Sequence, residues 1–163
     1  MADDTIFNIA PVSNCTPLRQ NELHAHLFLH HTVLGANHNQ ASIAEPGHRN
    51  GFGSTIVNDW AVTDSLGPEA RVVARARGIH IQAGLDTKSY YVSFNMIFDD
   101  GRVHTSGDGP CCRTRRVGHI VGGTGEFTLA KGVIYKKFHE QRGDGNIMEL
   151  DIHAFYTPME RSQ

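Results

Sequence analysis

Eleven histidines stand in this 163-residue chain. Three of them, His24, His26 and His30, are spaced to fall on one side of an extended strand. Histidines one pleat apart can share a zinc ion, which takes imidazole nitrogen at about 2.0–2.1 Å in a tetrahedral shell. Such a shell needs a third and usually a fourth ligand, and the sequence singles out none. With Phe28 on the same side, the row is expected to be a hydrogen-bonded surface or subunit contact, and no metal or other cofactor is expected. Cys111 and Cys112 are adjacent and lack a Cys-x-x-Cys partner, so with Cys15 they are expected to stay reduced and passive. No Ser/His/Asp or Cys/His nucleophile set falls on a recognisable turn. Arg71, Arg75 and Arg77 share a strand face and could bind an anion, but pairing with acidic neighbours or plain solvation is the simpler expectation. Trp60, the sole tryptophan, offers either a stacking plane or a structural plug.

The stretch Gly122-Gly123-Thr124-Gly125 could cradle a phosphate only if a helix N-terminus followed it. The Phe127–Tyr135 segment has strand composition instead, so a tight reversal between two strands is expected there. Fifteen basic against seventeen acidic residues give a formal charge of −2, which supplies no broad attraction to nucleic acid or anionic lipid. No run approaches the roughly 20 apolar residues that a membrane helix needs. The acidic Met-Ala-Asp-Asp start is unlike the basic-then-apolar pattern of a signal peptide, so a cytoplasmic location is expected.

These residues must be positioned by strands. From Leu23 to Val33 the chain alternates: Leu23, Ala25, Leu27, Leu29 and His31 face one way, and His24, His26, Phe28 and His30 the other. Ser89–Phe98 repeats the pattern and closes on the turn residues Asp99-Asp100-Gly101. Met148, Leu150, Ile152, Ala154 and Tyr156 form a third apolar face after Gly143-Asp144-Gly145-Asn146. Weaker strands are expected at 53–58, 71–81, 102–106, 114–121 and 127–138, the last with a bulge at Gly132 where alternation fails. Many short strands and no helical stripe imply an all-β antiparallel sandwich or closed barrel. Residues 1–22 read as an arm, 23–156 as one domain, and 157–163 as a linker stump.

Four blocks carry a resemblance: Leu27-Phe28-Leu29-His30-His31-Thr32-Val33, Gly51-Phe52-Gly53-Ser54-Thr55-Ile56-Val57-Asn58-Asp59, Phe94-Asn95-Met96-Ile97-Phe98, and Val121-Gly122-Gly123-Thr124-Gly125-Glu126-Phe127-Thr128-Leu129-Ala130-Lys131-Gly132. In this order they resemble plant dirigent proteins. The resemblance implies an eight-stranded antiparallel β-barrel, related to allene oxide cyclases, of a kind that often trimerises; the alternating His/Phe and Arg/Val/Ile outer faces, less polar than a free surface needs, predict a dimer or trimer. Dirigent proteins steer two bound phenoxy radicals to couple with one stereochemistry, the oxidant coming from another enzyme. The resemblance puts the family's first acidic position on His31, its second on Gly109 with Asp108 beside it, and its arginine on Arg116. An imidazole and a glycine in place of two carboxylates argue against coupling chemistry, since their proton affinity and donor geometry differ. The pattern without a C-terminal cysteine is similar to dirigent domains fused to jacalin-type lectins in monocot defence proteins. Together these readings predict a non-catalytic barrel that binds a small saccharide at its mouth through His31, Asp59, Asn95, Asp108 and Arg116, with Trp60 stacking on a sugar face.

Overall fold

The computed structural model describes residues 19–99, 103–108 and 116–158, the side chains of 103–108 and 116–117 excepted. Nine strands run through the described residues: β1 (Asn21–Thr32), β2 (Gln40–Ala44), β3 (Thr55–Thr63), β4 (Val72–Gln82), β5 (Tyr90–Phe98), β6 (Val103–Asp108), β7 (Arg116–Thr124), β8 (Lys131–Gln141) and β9 (Gly145–Tyr156). Each pairs antiparallel with its sheet neighbours in the order β1-β9-β8-β7-β6-β5-β4-β3-β2. A further pairing closes the sheet, with Phe28, Leu29 and His30 of β1 opposite Thr63, Val62 and Ala61 of β3. The result is an eight-stranded antiparallel barrel, and β2 covers the part of β3 that β1 leaves unpaired. Closure pairs β1 with β3 and leaves the short β2 as the terminal strand, so little of the sheet edge on which proteins aggregate stays open.

Period-two alternation decides which side chains enter the barrel. Leu27 and Leu29, Trp60 and Val62, Ala74 and Ala76, Val92, Phe94 and Met96, Ile134, and Leu150 and Ile152 are all buried in one cluster. Each large apolar member contributes about 1.5–3 kcal/mol by leaving water. His24, His26 and Phe28 project outward between them. Small residues are required where strands crowd, and Gly132 shows why: a Cβ there would overlap the His153 carbonyl oxygen and lie 2.6 Å from the Ala154 Cα. The expected bulge is therefore not at Gly132, whose register is regular; the slip occurs between Phe138 and Glu140.

The glycine block also differs from expectation. β7 continues through Gly122, Gly123 and Thr124, and the reversal falls later, in a 3₁₀ turn over Gly125–Phe127. Of the block's glycines only Gly125 takes a left-handed backbone, at φ 61°. The turn drives Phe127 into the core, edge-on to Tyr156 at 5.0 Å. β2 has no counterpart in the sequence reading because Gln40-Ala41-Ser42-Ile43-Ala44 is exposed along most of its length and carries no inward face. The strand after Gly53 extends to Thr63, so Trp60 is inside it and not beyond its end. Cys15, Gly109, Cys111 and Cys112 lie outside the described residues, as do most of the proposed arm and the last five residues.

Candidate functional site

One end of the barrel interior is polar, and the alternation that makes the core also makes this end. His31 continues the inward row of Leu27 and Leu29 on β1 and sits opposite Asn146 of β9. On β3 the inward row brings Asn58 next to Trp60; on β4, Ala74 and Ala76 lead to His80 and Gln82. On β8, Lys136 follows Ile134 and is 3% exposed, its ammonium 5.3 Å from the centre of the Phe94 ring. A buried cation over an aromatic face gains from the ring's quadrupole, which partly offsets its desolvation.

Trp60 is the centre of this end. Its ring lies 4.3 Å from His31 and 5.4 Å from His80, the latter stacked at 26°, with Phe94 edge-on at 6.1 Å. His80 in turn meets Tyr90 at 5.8 Å. The indole nitrogen donates to Gln40 Oε1 at 2.8 Å. Trp60 is 2% exposed, so it is a wall of the interior and not a platform presented to solvent. Around it, Asn58 Nδ2 donates to the Ala76 carbonyl, and Gln82 Nε2 to the Gly84 and Thr87 carbonyls. The opposite ends of these two amides, Asn58 Oδ1 and Gln82 Oε1, are buried without a hydrogen-bond donor among the described residues, and so is Asn146 Oδ1. Each such acceptor costs about 1–3 kcal/mol unless a donor reaches it.

Asp108 and Arg116 belong to this end by backbone register. Asp108 pairs with Val92 and Gly118, and Arg116 with Lys136. Two residues expected here are elsewhere. Asp59 and Asn95 have the opposite parity to Trp60 and Phe94 and lie on the outer wall, separated from His31 and Trp60 by the sheet itself. Asp59 is engaged there by Arg77 at 3.2 Å and Arg75 at 3.9 Å, while Asn95 is exposed in register with Arg77. The six expected residues therefore do not line one mouth. The arginine row is paired with carboxylates: Arg75 and Arg77 serve Asp59, and Arg71 binds Asp64 at 3.0 Å. Hydrogen bonds from the Arg71 backbone and Ser65 hold the Asp64 carboxyl below its usual range.

Asn58, His80, Gln82, Lys136 and Asn146 were not anticipated. A signal existed for two of them, since His80 and Lys136 share parity with Ala74, Ala76 and Ile134. Polar residues at inward positions are the exception that a parity count exposes.

A family model described as "Dirigent-like protein" matches residues 22–155. The chain belongs to the dirigent family. It is 27% identical to dirigent protein 11 of Arabidopsis thaliana over 93% of this chain and 86% of that protein. It is 29% identical to pterocarpan synthase 1 of Glycyrrhiza echinata over 82% of this chain and 77% of that one. The solved structure of the pterocarpan synthase dirigent protein GePTS1 superimposes with a TM-score of 0.80 at 25% identity, covering 88% of this chain and 90% of that one.

Proposed function

We propose that this dirigent barrel is a non-catalytic binding module that takes a small hydroxylated aromatic molecule into its polar end, the bond-forming chemistry being supplied elsewhere. The observation that carries the reading is Trp60 held between His31 and His80, with the unsatisfied acceptors of Asn58, Gln82 and Asn146 at the same end. Aromatic walls suit a flat ring, and buried acceptors need hydroxyl donors. Pterocarpan synthases among the relatives point to the same ligand class. His31 takes the place where the family resemblance expects a carboxylate. An imidazole differs from a carboxylate in donor geometry, and it can either donate to a phenol oxygen or accept from its hydroxyl.

The saccharide reading keeps His31, Asp108 and Arg116 and loses three of its contacts, since Asp59 and Asn95 face outward and Trp60 is covered. None of the relatives named above is a lectin, so this reading rests on the residues alone. Thermal shift against a panel of phenols, with coniferyl alcohol as the first probe, and a glycan array on the same preparation separate the two. A ligand that binds only the folded state raises the melting temperature, and phenols are expected to do so. Glycan hits without any phenol shift would reverse the assignment. Enantiomeric excess in coupling of coniferyl alcohol by a one-electron oxidant would overturn the non-catalytic part.

A further inference from the structure

The outer wall of the same barrel carries a second cluster, independent of the polar interior. Glu22 and His24 are two residues apart on β1 and so share its outward face, and the β1–β9 register places His153 directly opposite His24. The two imidazoles stack at 4.2 Å and 16°. Their Nε2 atoms converge on one oxygen, Glu22 Oε1, at 2.9 Å from His24 and 2.7 Å from His153. The three donor atoms all lie within 4.8 Å of one another.

We propose that Glu22, His24 and His153 form a surface site for a divalent transition-metal ion of the zinc type, with water completing the shell. Imidazole nitrogen and carboxylate oxygen are the donors that zinc, copper and nickel accept. Bonds of about 2.0–2.1 Å in a tetrahedron set neighbouring donors about 3.3–3.4 Å apart. The present spacing therefore needs to open by only about half an ångström at the carboxylate, with a turn of the rings out of their stack. All three side chains are exposed enough to make that adjustment, His24 at 68%, Glu22 at 50% and His153 at 38%. Hydrogen bonds from His153 and then His24 hold the Glu22 carboxyl below its usual range, so it brings a negative charge at neutral pH. His26 is not a ligand: its Nδ1 is engaged by Asp151 Oδ1 at 2.6 Å, one pleat further along. The His-x-His pair legible in the sequence is thus replaced by a cross-strand pair.

The test is a zinc chloride titration of the full chain against a chromophoric zinc indicator, after alkylation of Cys15, Cys111 and Cys112 so that thiolates do not compete. One zinc per chain is expected. H24A and H153A should each weaken binding by about tenfold or more, exceeding the smallest losses seen when only a supporting residue of a metal site is removed. E22Q should weaken it as well, and H26A should leave it unchanged. Circular dichroism establishes that the variants, all of them on the exposed wall, retain the barrel. Absence of zinc binding by the unsubstituted chain, or an affinity unaffected by H24A or by H153A, would overturn the site. A loss in H26A equal to that in H153A would overturn this choice of ligands.

Discussion

Replacing Trp60 by Ala decides whether the ring is a wall of the core or an accessible platform. The side chain is 2% exposed and touches His31, His80 and Phe94. Burial of an aromatic side chain removes about 150–250 Å² from water, which at about 25 cal/mol per Å² is roughly 4–6 kcal/mol. Direct truncations of buried Phe or Trp cost about 3–5 kcal/mol. The variant also leaves Gln40 Oε1 without its 2.8 Å donor, which adds about 1 kcal/mol. A loss near 4–6 kcal/mol would consume much of the roughly 5–15 kcal/mol that a domain possesses. At about 2–4 °C per kcal/mol for a chain of this size, the melting temperature should fall by roughly 8–24 °C. Urea unfolding followed by circular dichroism measures it, because the variant has no tryptophan left to report. A loss below about 1 kcal/mol, the range of exposed positions, would refute the buried placement and restore the stacking platform.

Acidification should destabilise the fold in two stages with the same sign. Burial, and then the Arg142 charge, hold the His30 imidazole below its ordinary value of 6.5, so its stabilising contribution is present above that value and is lost as the pH falls through the folded pKa. Urea midpoints between pH 7 and 5 should fall less in His30→Gln than in the unsubstituted chain, and parallel curves would count against it. Glu22, Asp64 and Glu149 are likewise lowered, chiefly by hydrogen bonds from His153, the Arg71 backbone and His139 respectively. The contribution of Glu22 and Glu149 is present above pH 4.5 and that of Asp64 above pH 3.8, and each is lost as the pH falls through the lowered folded value. Gly132→Ala should cost about 1–3 kcal/mol, as overpacking does, because the β9 backbone has to move; an unchanged midpoint would refute the close approach of β8 and β9. Self-association is expected through the outer wall, where Val57, Ile79 and Tyr91 are exposed on adjoining strands, and a sedimentation mass fixed at 18.0 kDa at high micromolar concentration would remove that expectation.

The strands were legible wherever one face is buried and the other is not. β1, β5 and β9 alternate for nine residues or more because each contributes a full inward row to the core. β2 was illegible because it buries almost nothing, and period two has no meaning on a strand with two wet faces. Gly132 was misplaced as a bulge because a broken alternation has two physical sources, an inserted residue or a polar residue at an inward position. Here the second operates first: Lys136 occupies an inward position among apolar ones, and the true slip comes after it.

The site failed in the sequence for a related reason. Proximity along the chain made Asp59 and Trp60 look like neighbours in one pocket, yet adjacent residues of a strand are divided by the sheet. Parity sorts the histidines of β1 in the same way: His31 goes inward to Trp60, while His24 goes outward to His153 and Glu22. One strand therefore serves two chemistries on opposite sides of a wall, and substitutions on one side test the other as a control. H24A and H153A should leave phenol-induced stabilisation intact while they weaken zinc binding by about tenfold or more. His31→Leu should do the reverse, since it removes a polar contact of the interior and touches nothing on the outer face. Loss of both functions in either class of variant would mean that the wall does not insulate its two faces, and would count against the parity argument from which both sites were built.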